Sequence, residues 1–254
     1  MLAWINFITR LLNHWFGAPV DAVLERLGIH PANPAHPINN TLTLELIVFT
    51  GLILFFLLVR SRLSVEKPGN AQHLAEMVHE FVSSQAEQVM GHGYERHLPV
   101  LTGLLLFILF CNCIGLFPGV DTPTANPSVP LGLALFTFAY YNWNGIRAQG
   151  PIGYIRHFMG PVDQMPIWMA IPMAFLMFPI EIVSHLARIM SLTVRLYANM
   201  FASDLLTLVF FSLVPPVIPI VFLGLHFGVA LIQSYIFMLL TTIYLAEATA
   251  HPEH

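Results

Sequence analysis

Apolar residues run through this chain in long, nearly unbroken stretches, separated by short segments that carry the prolines and most of the charges. A helix crossing a bilayer needs about 20 apolar residues. Runs of at least that length lie at about residues 41–60, 98–118, 127–147, 167–213 and 217–249. The first holds one acid, Glu45, and is stopped by Arg60, Arg62 and Lys67. The second ends at Pro118-Gly119, and the third is stopped by Arg147. The pattern predicts an all-α integral membrane protein of about five membrane helices, with residues 41–254 as one membrane domain.

Two segments carry a helical period instead of uniform apolarity. In residues 1–16, Asn6, Thr9, Arg10 and Asn13 fall opposite Trp4, Ile8, Leu11, Leu12 and Trp15, which predicts an N-terminal interfacial helix. It lacks the early basic cluster and small-residue cleavage site of a signal peptide. A proline-rich stretch, Gly17 to Asn40, should then be an external connector, so residues 1–40 stand apart from the membrane domain. Around residues 71–90, Leu74, Met77, Val78, Phe81, Val82, Ala86 and Val89 share one face, against Glu76, Glu80, Ser83, Ser84 and Glu87. This amphipathic helix should lie on the cytoplasmic membrane surface or under the bundle.

The last third departs from a simple span. Residues 167–213 read as one helix touched only by Pro172 and Pro179, and about 40 residues extend ~60 Å, twice the hydrocarbon thickness. From Leu205 to Ala246 there is no Asp, Glu, Lys or Arg, and Pro215, Pro216 and Pro219 force a hairpin. Two helices this long must tilt strongly, close to the membrane plane.

Composition agrees: 56% of residues are hydrophobic and 9% charged, against about a quarter charged in soluble domains. A net charge of −4 gives no reason to expect nucleic acid. Cys111 and Cys113 read as small buried hydrophobes, and neither a metal nor a cofactor is expected. Arg60, Arg62, Lys67 and Arg96 mark the loop after the first span as cytoplasmic, as Arg147 and Arg156 mark the loop after the third. The N-terminus is then outside and the C-terminus cytoplasmic.

Within the apolar hairpin sit Glu181, Arg188, Arg195, Asp204 and His226. A mid-bilayer charge costs at least ~2.5 kcal/mol, so such groups face partners or water. Glu181, Arg188 and Arg195 recur every seven residues and share one stripe, while Asp204 falls on the opposite side. His226, Gln233 and Tyr244 share a stripe on the returning helix. Arg188 can be read as snorkelling or covering apolar surface, Glu181 as an interfacial acid, and His226 and Gln233 as interhelical hydrogen-bonding groups. Arg195 resists such a reading, having no acid three or four residues away on either side. Its guanidinium cannot release a proton under working conditions, but it can hold a carboxylate. Asp204 and His226 can exchange protons near neutral pH. Ser184, His185, Tyr197 and Asn199 are further hydrogen-bonding candidates. Glu181 and His185 alone do not make a metal helix of the His-Glu-x-x-His kind. No internal repeat suggests a secondary transporter, and a passive anchor would leave the charged hairpin unexplained.

The string Ser191-Leu192-Thr193-Val194-Arg195-Leu196-Tyr197-Ala198-Asn199-Met200 resembles the signature of ATP synthase subunit a. Phe178-Pro179-Ile180-Glu181, Asn112 to Pro118, Thr122 to Asn126 and the block from His226 through Gln233 to Tyr244 extend the resemblance over about residues 40–250. The resemblance implies a proton-translocating stator subunit with no catalytic site or bound nucleotide of its own, in a bacterial inner membrane. Its partners would be a ring of c subunits, peripheral-stalk b subunits, other ATP synthase subunits and membrane lipids. Arg195 would face the ring carboxylate between two offset half-channels. Asp204, His226 and Gln233 would line the outer one, with Asn112 and Asn199 beside it; Glu181 and Ser184 would mark the cytoplasmic one. Arg188, His185 and Tyr244 would be secondary. Asp204 stands where the family commonly has glutamate, and Ser203 where glycine is usual.

Overall fold

The computed structural model describes residues 2–26, 38–61, 63, 69–117, 120–158, 167–213 and 217–249. Among them every regular element is helical: α1 (Leu2–Arg26), α2 (Asn40–Ser61), α3 (Asn70–Met90), α4 (Leu98–Ile114), α5 (Ser128–Phe158), α6 (Ile167–Leu213) and α7 (Val217–Thr249), with single 3-10 turns at Tyr94–Arg96 and Pro123–Ala125. Three helices are long and apolar enough to cross a membrane, through Asn40–Ser61, Phe175–Ser212 and Ile220–Thr249. α4 is apolar but shorter. α5 is the least uniform of the five expected spans, because Asn142, Asn144 and Arg147 lie within it.

Two boundaries differ from the sequence reading. α1 does not stop at Phe16 but continues to Arg26, so much of the expected connector is helix. Pro19 removes only one backbone donor, and the segment after it, Val20 to Arg26, contains ordinary helix formers. The remainder of that connector, residues 27–37, lies outside the described residues. α5 likewise runs past Arg147, and the break comes at Gly150, whose φ of 74° is left-handed.

The chain divides into two compact units. The first comprises Met1–Met77, Leu105–Asn126 and Asn199–Ser234. Here α1 presents its polar face to the protein. Thr9, 8% exposed, bonds to the Asn40 carboxamide and the Thr43 hydroxyl, each at 2.9 Å. Asn13 donates to the Ile38 carbonyl (2.8 Å) and accepts from its N–H (3.0 Å). Asn39 caps α2 by accepting from the Leu42 N–H at 2.8 Å. Ile5, Leu44 and Val120 form a small core beside these bonds. Trp4, Phe7, Leu11, Trp15 and Phe16 point outward, as a lipid solvent permits. Near the hairpin turn, Phe210 of α6 stacks on Phe222 of α7 with ring centroids 3.9 Å apart.

The second unit comprises Val78–Leu104, Pro127–Ala198 and Tyr235–His254. Val82 and Ala86 of α3 are fully buried, and Tyr235 of α7 donates its hydroxyl to Gln85 at 2.8 Å. Tyr141, Tyr154, Leu245 and Ala248 form its core. Gly145 permits this packing, since a Cβ there would press on the Tyr154 ring and the Ala248 carbonyl. Along α7, Ser234, Thr241, Thr242 and Thr249 return their hydroxyls to carbonyls one turn back, which satisfies them without water.

Candidate functional site

In the first unit, α4, the segment after it, α6 and α7 assemble a polar cluster. His226, 1% exposed, places Nε2 3.1 Å from the Asn112 backbone carbonyl. A carbonyl only accepts, so Nε2 carries the hydrogen. Nδ1 faces Asp204 Oδ1 at 3.4 Å. With Nε2 bearing the hydrogen, the Nδ1 lone pair and a carboxylate oxygen are both acceptors, so only a proton on one of them could bridge the pair. Asp204 also accepts from the Thr122 hydroxyl (2.9 Å) and, at 3.4 Å, from the Thr122 N–H. Gly115 lets these groups meet: a Cβ there would collide with Thr122 Oγ1 and stand 3.1 Å from the His226 ring.

Two further pairs extend the cluster. Thr124 donates its hydroxyl to the side-chain oxygen of Asn112, which is completely buried. Asn199 donates to Gln233 Oε1 at 2.8 Å, and Gln233 is 2% exposed. Among the described residues, Asn112 Nδ2 and His226 Nδ1 have no hydrogen-bond partner, so the cluster keeps unsatisfied polar atoms in its interior. Ser203, the departure from a small glycine, is 7% exposed, so its side chain is accommodated in the packing.

The second unit holds a separate cluster. His185 Nδ1 lies 2.7 Å from the Tyr141 hydroxyl, its ring stacks on Tyr141, and Nε2 faces Glu181 at 3.5 Å. Arg188 donates to Glu247 at 2.9 Å, and its guanidinium sits 4.8 Å above the Tyr244 ring. Arg188 is thus tied down by an ion pair within its own chain. Ser184 is half-buried on the same helix and joins none of these bonds.

Arg195, in the same unit, is different. Its only hydrogen bond among the described residues runs to the Ser191 hydroxyl at 3.3 Å, and no carboxylate among them lies within ion-pairing distance. Leu192 and Leu196 turn inward at 3% and 0% exposure, leaving Arg195 on the outer side of α6. Around it on that side, Ala187, Ser191 and Ala198 are exposed and small. Side chains of that size let a second helix approach closely.

The sequence-selected residues therefore fall into one group around Asp204 and His226, another around Glu181 and His185, and one unpaired arginine. Sequence reasoning missed Tyr141, Glu247 and the role of Thr122. Glu247 had a signal, since it follows Tyr244 by three residues and so shares its helix face. Tyr141 and Thr122 had little, because phenols and hydroxyls are too common to mark a pairing before the fold is known.

A family model described as ATP synthase A chain matches residues 41–246. The chain is 52% identical over 245 residues to ATP synthase subunit a of Koribacter versatilis strain Ellin345, covering 96% of this chain and 97% of that protein. With ATP synthase subunit a of Solibacter usitatus strain Ellin6076 it shares 46% identity over 242 residues, covering 95% and 99%. With the subunit of that name from Campylobacter jejuni subsp. doylei it shares 40% over 217 residues, covering 85% and 92%. Helices of this length and apolarity and these matches lead to one assignment: the chain is an integral membrane protein of the ATP synthase A chain family.

Proposed function

We propose that this chain is the stator that passes protons to and from a rotating ring of c subunits, with Arg195 dividing two offset half-channels. Membership of the family makes it a subunit of the proton-translocating membrane sector of an ATP synthase. The finer reading rests on one observation above the others: Arg195 is a permanent cation with no acid partner among the described residues, on an exposed helix face of small residues. A buried or lipid-facing charge needs a counter-charge, and here a partner protein would supply it.

In this reading a proton enters from outside through the cluster of Asn112, Asn199, Asp204, His226 and Gln233. Asp204 and His226 hold it in common and deliver it to a ring carboxylate, which can then face lipid as a neutral acid. After nearly a full rotation, the acid releases its proton to the cytoplasmic side beside Glu181, Ser184 and His185. The new anion meets Arg195, which holds it without accepting its proton and so blocks a direct leak. Each proton crossing ~100 mV releases ~2.3 kcal/mol, so several are needed per ATP. In this reading the subunit sits in a bacterial inner membrane, and the basic loops support an orientation with the N-terminus outside. Peripheral-stalk b subunits would hold it against the ring.

The test is Arg195→Ala in the assembled complex in membrane vesicles. ATP-driven proton pumping should fall at least 100-fold while the partner subunits still co-purify. Pumping at the normal rate would remove Arg195 from the mechanism.

A further inference from the structure

The second unit contains a cavity that neither polar cluster uses. It is a half-open hollow of about 570 Å³ between the end of α3, the 3-10 turn Tyr94–Arg96 with His97 after it, and the middle of α5, and the last residue of α7 lines one side. Arg96 and Arg147 line it with His92, His97 and Asn144, against one acid among the described residues, Glu95. Neither guanidinium has a carboxylate partner among the described residues. Both are exposed, so each can swing onto a ligand.

The wall behind them is fixed. His97 is 5% exposed, bonds to the Tyr140 hydroxyl at 2.8 Å and meets that ring edge-on. Asn144 is held by its amide on the Tyr140 carbonyl at 2.8 Å. Gly91 and Gly93, with φ of 70° and 81°, take the left-handed backbone that turns the chain from α3 onto the cavity's rim. Burial, and then the Arg96 charge, hold His97 below the ordinary histidine range, so the positive charge here belongs to the arginines.

The cavity also has a defined depth. Arg96 lies two residues before the apolar helix α4, and Arg147 lies in α5 three residues beyond Asn144. With α4 read as a membrane helix, Arg96 stands near its end, where headgroups replace hydrocarbon, and Arg147 lines the same cavity. Two unpaired guanidiniums opposite a fixed polar wall match an oxyanion with several acceptor oxygens, and arginine forks bind phosphate in bidentate fashion. We propose that this cavity binds a phosphate group, held by Arg96 and Arg147. This site is independent of the half-channel reading. Basic pockets at this depth suit anionic phospholipid headgroups, although free phosphate offers the same oxygens.

The test uses the complete ATP synthase complex and a phosphatidylglycerol with a photoreactive headgroup. In phosphatidylcholine vesicles the probe should cross-link to residues 90–97 and 144–148. Unlabelled phosphatidylglycerol should compete at least fivefold better than added phosphatidylcholine, a comparison that needs no variant. Arg96→Gln with Arg147→Gln should lower the yield at least fivefold, and Arg96→Lys with Arg147→Lys should restore most of it, with co-purifying subunits confirming assembly. In a second arm, radiolabelled inorganic phosphate is offered in pure phosphatidylcholine vesicles. One equivalent bound per chain, and lost in the Gln pair, would identify a free anion as the ligand. Equal competition by the two lipids, together with no phosphate binding, overturns the proposal.

Discussion

Two arginines seven residues apart on α6 show how a single contact changes what a charge can do. Arg188 has Glu247 at 2.9 Å and an aromatic face beneath it, while Arg195 has only a serine hydroxyl among the described residues. Arg188→Ala should therefore leave proton pumping within about threefold of normal. Its double-mutant cycle with Glu247→Ala should give a coupling of at most about 1 kcal/mol, because Glu247 is 45% exposed. A loss as deep as that of Arg195→Ala would erase the distinction. Asp204 offers the complementary case. Asp204→Asn keeps an acceptor for Thr122 but cannot share a proton with His226, so ATP-driven pumping should fall at least tenfold. Asp204→Glu restores the family's usual residue and should retain more than half of it. Ionisable groups in an apolar run were conspicuous, which is why Arg195, Asp204 and His226 were legible in the sequence. What each one touches was not: Arg188 pairs with a residue 59 positions away, and Thr122 meets Asp204 across 82.

Elements follow their solvent. The span lengths of α2, α6 and α7 could be read directly, because uninterrupted apolarity has few explanations in a chain this poor in charge. The end of α1 could not, since proline and glycine suggested a break that local helix formers overrode. Its amphipathic pattern was clear, yet its meaning depends on which side meets water. In this chain the polar side of α1 meets Ile38, Asn40 and Thr43, and the tryptophans face outward. Asn13→Leu should consequently loosen α1. It removes two bonds to Ile38, each worth about 1 kcal/mol, and strands that residue's backbone groups. Deuterium exchange within residues 2–26 should rise roughly tenfold, which corresponds to about 1.4 kcal/mol. Unchanged exchange would mean that lipid, not α2, holds the helix. Gly115→Val is the matching test at the end of α4. Its side chain would occupy the place of the Thr122 hydroxyl, so it should depress pumping about as far as Asp204→Asn does.

For the molecule as a whole, the decisive feature is that the Asp204–His226 and Glu181–His185 pairs lie each inside its own compact unit. The residue expected to mediate between them is an arginine, and arginine does not release protons at any working pH. A chain built this way should not conduct alone. Reconstituted by itself into vesicles under a potassium diffusion potential of ~100 mV, it should acidify the lumen no faster than protein-free lipid does. The driving force is sufficient, at ~2.3 kcal/mol per proton, so a null result would reflect a missing carrier and not a missing gradient. Adding the c subunits should restore flux, because a mobile carboxylate can then collect a proton at one cluster and surrender it at the other. That flux should vanish when the ring carboxylate is made an amide. Were the isolated chain to pass protons at a rate set by Asp204 and His226, a continuous path through one subunit would exist. Arg195 would then be a structural charge, and the two clusters would be parts of one channel.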